Sequence, residues 1–289
     1  MKKWISDLNR RKFRNGLNSQ SYQDELLEII FDNLGTTNSV PFCVEFGFNS
    51  SELETGSGAN VAKLVLEKKW DSLLLDGDNE NHSINLHKHF LTSENICRIF
   101  KSYNVPKEPE YISIDVDSTD LWLFRSLLKN YRAMVYSVEY NSNYPLNKAI
   151  TFPNDSEEHW QNDRGYGASL KALTMVAAEH GYSLVWVVRK LDVFFVRDDL
   201  IEDGSNMKVF PYKKWANCTN IRSHGPLKDR KKASIYLDYE VFTKSNGDIL
   251  ASKQAAYETC MTYLVAAGFS GKANKLLRLL KKIWKPWNI

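Results

Sequence analysis

The sequence predicts an α/β protein built on a doubly wound, mostly parallel sheet. Short apolar runs of strand type alternate with helical segments along most of the chain, and this alternation favours parallel strands covered by helices on both faces. The last two apolar runs, SLVWVV and VFFV, are too close together for a parallel return, so they predict an antiparallel terminal hairpin. The chain has 289 residues, 43% of them hydrophobic, which is enough for one such domain with extensions.

The first half of the chain supplies the predicted elements in alternating order. They are a helix over 21–34, a strand over 42–47, a helix over about 60–69, a strand over 71–78 and a strand near 96–100. Ser21 is the predicted cap of the first helix, and Gly35 is its predicted end. The polar stretch 79–90 carries His82, His87 and His89; His87 and His89 have a metal-like spacing, but a solvated loop is the favoured interpretation.

The second half continues the alternation and closes it. The predicted elements are a strand over 110–117, a helix over 121–131, a strand over 133–141, a helix over 167–180 ended by Gly181, and the hairpin. A helix is predicted over 250–267. Residues 272–287 form an amphipathic basic helix in this interpretation, and packing against the domain is favoured over binding a partner or a membrane surface.

Three parts of the chain follow from this order: an N-terminal helical extension (1–39), a central α/β domain (40–203) and a basic C-terminal extension (204–289). The net charge is only +3, but lysine and arginine are concentrated at 2–14, 208–232 and 272–285. Such basic segments favour an anionic partner, either nucleic acid or a membrane surface. A plain solvated surface explains them equally well, and homo-oligomerisation stays open.

The composition also bears on location. No apolar run reaches the roughly 20 residues that a bilayer crossing needs, and the basic start lacks the apolar core of a signal peptide. The four cysteines are scattered and form no CxxC pair, which is typical of reduced thiols. The sequence therefore predicts a cytoplasmic protein, with peripheral membrane binding as an alternative.

Polar residues at the ends of the first two strands predict a ligand site, because open α/β sheets bind ligands at the carboxyl ends of their strands. The first strand ends in Glu45-Phe46-Gly47, and the following loop brings Gly58 and Asn60 to the start of a helix. The second strand ends in Asp76-Gly77-Asp78, where a carboxylate can accept both hydrogen bonds of a ribose diol. Together these residues favour an adenosine site.

The next two strands end in acidic residues. Asp115 and Asp117 share one face of the strand at 110–117, and Glu139 and Asn141 share one face of the strand at 133–141. If the strands are neighbours, these four oxygen-bearing side chains converge, and they are hard ligands suited to Mg²⁺ or Ca²⁺. Helix capping by Asp117 or Asp120 is the alternative interpretation.

Further candidate residues lie between the last parallel strand and the hairpin. His159 is a candidate general base, because neutral histidine accepts a proton near physiological pH. Trp160 and Tyr166 are candidates for an aromatic wall around the substrate, with core packing as an equal alternative.

The order and spacing of these motifs resemble one known family. The runs CVEFGFNSSELETGSGANVAKLVLEKKWDSLLLDGD, YISIDVDSTDLWLFRSLL, VEYN, GYGASLKALTMVAAEHGYSLVWV and VFFVRDDL are similar to the FkbM-like class I methyltransferases that use S-adenosylmethionine (SAM). The resemblance covers roughly residues 40–200. It implies a Rossmann-like sheet of seven strands with an antiparallel last strand.

The resemblance also implies roles for individual residues. Glu45 and Gly47 would belong to the first SAM motif, Asp76 would hold the ribose, Ser93 and Glu94 would lie near the adenine, Asp115 would lie near the methionine end, and Glu139 and Asn141 would lie near the substrate. The chain departs from the family pattern in the run FNSSE after the first strand, in aspartate rather than glutamate at residue 76, and in Asp192-Val193, where the family usually has an asparagine.

The function expected from these features is transfer of a methyl group from SAM to a hydroxyl oxygen of a small molecule, such as a sugar, a lipid or a natural product. Asp117, Glu139 or His159 would remove the hydroxyl proton, or a metal held by Asp115, Asp117, Glu139 and Asn141 would lower its pKa. One alternative is a methyltransferase that acts on RNA or protein, motivated by the basic segments. Another is a binding or scaffold protein that keeps the fold without SAM, motivated by the departures in the first loop.

Overall fold

A computed structural model describes residues 3–8, 10–48, 50–54, 58–201, 227 and 230–265. The predicted amphipathic helix at 272–287 and most of the basic segment at 208–232 lie outside these residues. Among the described residues, no helix combines the length and the apolar character that a membrane crossing requires.

The main sheet has seven strands: β1 (Phe42–Phe46), β2 (Asp71–Asp76), β3 (Leu86–Lys88), β4 (Tyr111–Ile114), β5 (Val135–Glu139), β7 (Tyr182–Val187) and β8 (Asp192–Arg197). They lie in the order β3-β2-β1-β4-β5-β8-β7. Strands β3, β2, β1, β4 and β5 are parallel, whereas β8 runs antiparallel to both β5 and β7. This topology confirms the predicted mostly parallel sheet and its terminal hairpin.

Helices cover both faces of this sheet. The principal helices are α1 (Lys3–Leu8), α2 (Gln23–Leu34), α3 (Ala62–Leu66), α4 (Ile96–Ser102), α5 (Asp120–Asn130), α6 (Leu170–Glu179) and α7 (Asp198–Ile201). The ring of Phe31 in α2 packs on Tyr111, and the ring of Phe124 in α5 packs on Tyr136. Tyr136 pairs with Ile112, the residue after Tyr111, so the two helices lie on opposite faces. The sheet is therefore doubly wound, as predicted.

The strand order places a crevice at one edge of the sheet. Strand β1 lies between β2 and β4. The chain therefore adds β2 and β3 on one side of β1 and later adds β4 and β5 on the other side. At such a reversal the loops after the two central strands diverge and leave an opening at their carboxyl ends.

A second, smaller unit packs beside the main sheet. Strand β6 (Ile150–Thr151) pairs antiparallel with β9 (Leu237–Asp238), followed by α8 (Tyr239–Lys244) and α9 (Ile249–Cys260). The π-helix Met261–Val265 continues α9, so the helix predicted over 250–267 is confirmed as far as the described residues extend.

Two predicted elements are wrong. The segment near 96–100 is helical rather than a strand, because Ile96, Ile99 and Phe100 are buried with the spacing of one helix face. The third strand is instead β3, within the stretch predicted as a solvated loop; only its Leu86 is buried, so it carries little strand signal. Ser21 does not cap α2, whose first residue is Gln23 and whose N-cap is Tyr22.

The predicted boundary at residue 40 does not separate two cores. Ile5 and Leu8 of α1 and Leu26 and Ile30 of α2 are buried in the same hydrophobic core as the strands of the main sheet. The N-terminal extension is therefore part of the main body of the fold.

Candidate functional site

A cavity of about 1130 Å³ opens at the carboxyl ends of the parallel strands. All but one of the predicted site residues line it. They are Glu45, Gly47, Gly58, Asn60, Asp76, Asp78, Ser93, Glu94, Asp115, Asp117, Glu139, His159, Trp160 and Tyr166. The exception is Asn141. We refer to this space as the strand-end cavity.

Gly47 allows the ends of β1 and β4 to approach closely. Its φ of +76° lies in the left-handed region, and a Cβ atom there would lie 1.3 Å from the carbonyl oxygen of Asp115. No side chain fits this space, so glycine is required for the backbone path that leads into the cavity.

Glu45 organises the loop that follows β1. Its carboxylate accepts hydrogen bonds from the backbone N–H groups of Asn60 (2.9 Å) and Val61 (3.1 Å), just before α3. Burial raises the pKa of Glu45 to about 7, although these two hydrogen bonds oppose the shift. The side chain lines the cavity and also fixes the far end of the loop.

Asp76 shapes the turn after β2. Its Oδ1 atom accepts hydrogen bonds from Asp78 N (2.8 Å), Asn79 N (2.7 Å) and Asn79 Nδ2 (3.0 Å). The residue is only 7% exposed. By contrast the side chain of Asp78 is 98% exposed, with Lys88 Nζ at 3.9 Å. Asp76 is thus held in place at the cavity, whereas Asp78 lies in solvent at its edge.

Ser93 and Glu94 contact a loop from another part of the chain. Ser93 Oγ lies 2.6 Å from Glu94 Oε1 and 3.0 Å from Asn154 Oδ1. The hydrogen bond from Ser93 lowers the pKa of Glu94. These contacts join the loop before α4 to the loop after β6 along one wall of the cavity.

Three carboxylates converge between β4 and β5. Oxygen atoms of Asp115, Asp117 and Glu139 all lie within 4.8 Å of one another, and Glu139 Oε2 is buried without a hydrogen-bond partner. Burial, followed by repulsion from the neighbouring carboxylates, raises the pKa of both Asp115 and Glu139 well above the ordinary range. The predicted convergence of these three groups is therefore present in the fold.

Helix capping by Asp117 or Asp120 is not found, because the N-cap of α5 is Thr119 and no side chain caps this helix end; Asp120 instead closes the turn before the helix. Its carboxylate accepts hydrogen bonds from Val116 N (2.8 Å) and Ser118 N (3.0 Å), which closes the turn between β4 and α5. Asp117 in this turn has a φ of +58°, and its side chain lines the cavity. Burial raises the pKa of Asp120 to about 7.

Asn141 does not have the predicted position. Its Nδ2 group donates to the carbonyl oxygens of Arg164 (2.8 Å) and Tyr166 (2.9 Å), and its Oδ1 accepts from Asn143 N (2.8 Å) and Asn143 Nδ2 (2.9 Å). The Nδ2 group holds the chain around residues 164–166 and the Oδ1 atom holds Asn143, so the structure does not support Asn141 as a substrate or metal ligand.

Aromatic side chains form another wall of the cavity. The rings of Trp160 and Tyr166 meet edge to face at 5.6 Å, and the ring of His159 meets Phe90 at 5.6 Å. Trp160 Nε1 also donates to the carbonyl oxygen of Asp163 (2.7 Å), which fixes the indole. Trp160 and Tyr166 therefore both line the cavity, and their predicted role toward a substrate stays a prediction.

Asp192 is a site residue that the sequence analysis noted only as a departure. It is buried, and its Oδ2 accepts hydrogen bonds from Gln23 Nε2 (3.1 Å) and Asn60 Nδ2 (3.1 Å). Because β8 is antiparallel, its first residue lies at the edge where the parallel strands end, and this reasoning could have identified Asp192. Gln20 and Ser21 also line the cavity from the N-terminal extension, and no sequence motif identifies them.

The charge of the cavity lining is strongly acidic. Ten lining residues are carboxylic acids: Glu45, Asp76, Asp78, Glu94, Asp115, Asp117, Glu139, Asp155, Glu158 and Asp192. Among the described residues, the lysine and arginine side chains in the lining are Arg189 and Lys190, both on the hairpin turn. Such a cavity favours a cationic ligand.

Comparison with protein-family models and with curated proteins finds no match for this chain.

Proposed function

We propose that this protein is a SAM-dependent methyltransferase that acts on a hydroxyl oxygen of a small molecule. The observation that carries the proposal is the acidic cavity into which four parallel strands deliver Gly47, Asp76, Asp115 and Glu139. A cytoplasmic location, expected from the sequence, is part of the same proposal.

The half of the cavity formed by β1 and β2 suits the cofactor. Gly47 lets the end of β1 lie directly against the backbone of Asp115 at the cavity, and Asp76 is held at the end of β2, where a carboxylate binds a ribose diol. Ser93 and Glu94 on the adjoining wall supply polar groups for the adenine ring in this assignment.

The charge of the cavity fits SAM, which carries a sulfonium and an ammonium group. Buried carboxylates without a counter-charge are costly, and Glu139 Oε2 has no hydrogen-bond partner. When bound, SAM supplies an electrophilic methyl carbon. Asp115 at the end of β4 is the carboxylate that we assign to the cationic methionine end, and the cavity is large enough for SAM together with a small acceptor.

Glu139 is the residue that we assign as general base. With SAM bound, Glu139 would accept the hydroxyl proton as the acceptor oxygen takes the methyl group and S-adenosylhomocysteine leaves. A raised pKa makes a carboxylate a stronger base than an exposed glutamate. Asp117 and His159, which also line the cavity, are alternative acceptors for this proton. Trp160 and Tyr166 would hold the acceptor.

The carboxylates of Asp115, Asp117 and Glu139 also suit Mg²⁺, since they are hard oxygen ligands within 4.8 Å of one another. A metal would lower the pKa of the acceptor hydroxyl. Asn141 would not contribute, because its amide is already hydrogen-bonded on both sides. Loss of activity on chelation, with recovery on addition of Mg²⁺, would assign the cluster to the metal.

Calorimetry with SAM and S-adenosylhomocysteine on the full chain tests the proposal. Saturable binding of both ligands, weakened in Asp76→Asn, is expected. Absence of binding at millimolar concentrations would contradict the proposal and favour a scaffold role. Binding of SAM together with salt-sensitive binding of RNA would favour the nucleic-acid methyltransferase over the small-molecule enzyme.

A further inference from the structure

A histidine-rich cluster lies at the β3 edge of the sheet, apart from the strand-end cavity. Glu80, His82 and His87 each offer a ligand atom, and these three atoms lie within 4.8 Å of one another. The cluster comes from a short stretch in which the chain turns after β2, forms the 3₁₀-helix His82–Ile84 and enters β3. The fold thus brings together two imidazoles and one carboxylate that the proposed methyl transfer does not use.

His87 makes the kind of hydrogen bond that metal-binding histidines usually make with their second ring nitrogen. Its Nε2 atom lies 2.8 Å from Asn85 Oδ1. The Asn85 Nδ2 group donates to the carbonyl oxygen of Ser72, so the amide oxygen faces the imidazole. Asn85 Oδ1 can only accept, so Nε2 of His87 carries the hydrogen and Nδ1 has a free lone pair. A ring nitrogen that donates to an oxygen while the other faces a metal is the usual arrangement of a histidine ligand.

Packing also restrains the His87 ring. It lies 4.3 Å from the ring of Tyr103, at an interplanar angle of 36°.

The other two members of the cluster, Glu80 and His82, have exposed side chains. His82 Nε2 lies 3.6 Å from Glu80 Oε1, with exposed side-chain fractions of 70% and 51%. The rings of His82 and His87 are 5.0 Å apart. His89 is not a member of the cluster; its Nε2 lies 2.8 Å from the hydroxyl of Tyr103. The fold therefore brings His87 together with His82, and not with His89, whose spacing from His87 is metal-like.

We propose that Glu80, His82 and His87 bind one Zn²⁺ ion. Two imidazoles and a carboxylate suit zinc, whereas Mg²⁺ and Ca²⁺ prefer sites made only of oxygen. Water completes the coordination, since the cluster is open to solvent. The ion joins the turn after β2 to the edge strand, next to the turn that holds Asp76. The zinc site can be tested without SAM, so the result does not depend on whether the proposed methyl transfer is correct.

Zinc titration of the metal-free full chain by calorimetry tests the site. Wild type is expected to bind Zn²⁺, and His82→Ala, which removes an exposed ligand, is expected to weaken that binding at least about a hundredfold. Asn85→Gly should weaken it by about tenfold or more, because it removes the acceptor that orients His87 together with the hydrogen bond to Ser72, while glycine accepts the left-handed backbone at this position. Mg²⁺ should not bind at this cluster.

His89→Ala is the matched control, since it removes a histidine two residues from His87 that lies outside the cluster. Its zinc affinity should stay within about twofold of wild type. The melting temperature of wild type and of this control should rise with Zn²⁺, and that of His82→Ala should not. Equal zinc affinity in wild type and His82→Ala, or absence of zinc binding in wild type, would overturn the proposal.

A second measurement uses the unmodified protein and so does not depend on how the variants fold. Long-range ¹H–¹⁵N NMR spectra report which nitrogen of each histidine carries the proton. His87 is expected as the Nε2–H tautomer, with its Nδ1 resonance shifting when Zn²⁺ is added. A zinc-dependent shift confined to other histidines would overturn the assignment.

Discussion

Two glutamates at opposite ends of neighbouring strands in the main sheet have opposite environments. Glu110, just before β4, is fully buried and accepts hydrogen bonds from the backbone N–H groups of Thr37 (3.0 Å), Asn38 (2.8 Å) and Phe42 (2.7 Å). These bonds lower its pKa despite burial. Glu139, at the end of β5, has a buried oxygen without a partner and a raised pKa.

The difference separates a structural carboxylate from a functional one. Native proteins satisfy nearly all buried polar groups, so an exception calls for a reason. At the amino ends of the strands, the loop at residues 37–42 supplies hydrogen-bond donors to the carboxylate of Glu110. At the carboxyl edge Glu139, Asp115 and Asp117 face one another, and their repulsion is relieved when a cation or a proton is bound.

The largest expected effect is on catalysis. Under the proposed function, Glu139→Gln should lower the methylation rate by about 10²–10⁴-fold, the usual contribution of a general base. The affinity for SAM, measured by calorimetry, should change much less, because Glu139 is assigned to the acceptor. A variant that loses SAM affinity but retains the turnover of the bound state would contradict this division of the cavity.

The next effect is the dependence of stability on pH. The pKa of Glu45 rises from 4.5 to about 7 on folding, so between these values the folded chain holds a proton that the unfolded chain has released. The contribution of Glu45 to the free energy of unfolding should therefore be largest below about pH 4.5. It should fall by up to about 3 kcal/mol as pH rises to 7. Asp120, whose pKa also rises to about 7, acts in the same direction.

Urea unfolding of the SAM-free chain at several pH values between 5 and about 7 measures this slope. Glu45→Gln should flatten it, because the variant has no proton to release at this position. Glu110 changes the free energy of unfolding in the opposite direction. Because folding lowers its pKa, Glu110 stabilises the fold at pH values above the ordinary pKa of a glutamate, and this contribution is lost as pH falls. A slope unchanged in Glu45→Gln would show that Glu45 does not have the raised pKa.

Much of the sheet could be predicted because its central strands are buried on both faces. Strands β1, β2, β4 and β5 are short apolar runs, and the hairpin has too few residues for any other connection. The edge strand β3 was missed since it buries only Leu86. Helix α4 was mistaken for a strand because a short apolar run has no clear period.

The site could be predicted where it depends on strand ends and not where it depends on loops. Asp115 and Glu139 follow directly from neighbouring parallel strands. Asn141 lies two residues past β5, where the chain has left the strand, so alternation no longer sets its direction. Asp192 enters through an antiparallel strand, and its partner Gln23 comes from 169 residues away, a contact that no local pattern contains.

Glu110→Gln tests the structural side of the comparison. The amide keeps the size of the side chain but replaces one acceptor oxygen with a donor, which then faces the N–H groups of Phe42 or of Thr37 and Asn38. The free energy of unfolding should fall by about 2–3 kcal/mol, measured by urea titration at pH 7. Glu139→Gln, the matched change at the other edge, should leave it unchanged or raise it.

Asp76→Asn should weaken SAM binding by about 1.5–3 kcal/mol, since a neutral amide accepts weaker hydrogen bonds from the ribose than a carboxylate does. The amide oxygen can still accept from Asp78 N and Asn79 N, so the turn should persist. Calorimetry measures the affinity, and an unchanged melting temperature checks the fold. Unchanged SAM affinity would remove Asp76 from the cofactor site.

The smallest effect is expected at Asp78, which the sequence also assigned to the cofactor. Its side chain is 98% exposed and lies 3.9 Å from Lys88 Nζ, so water solvates it whether or not a ligand is bound. Asp78→Asn removes the same charge as Asp76→Asn from the same turn and should change SAM affinity by less than about 0.5 kcal/mol. If the two substitutions weaken binding equally, the cavity attracts SAM through its summed charge. A loss confined to Asp76→Asn would instead support a direct hydrogen bond, because only the buried, oriented carboxylate would then matter.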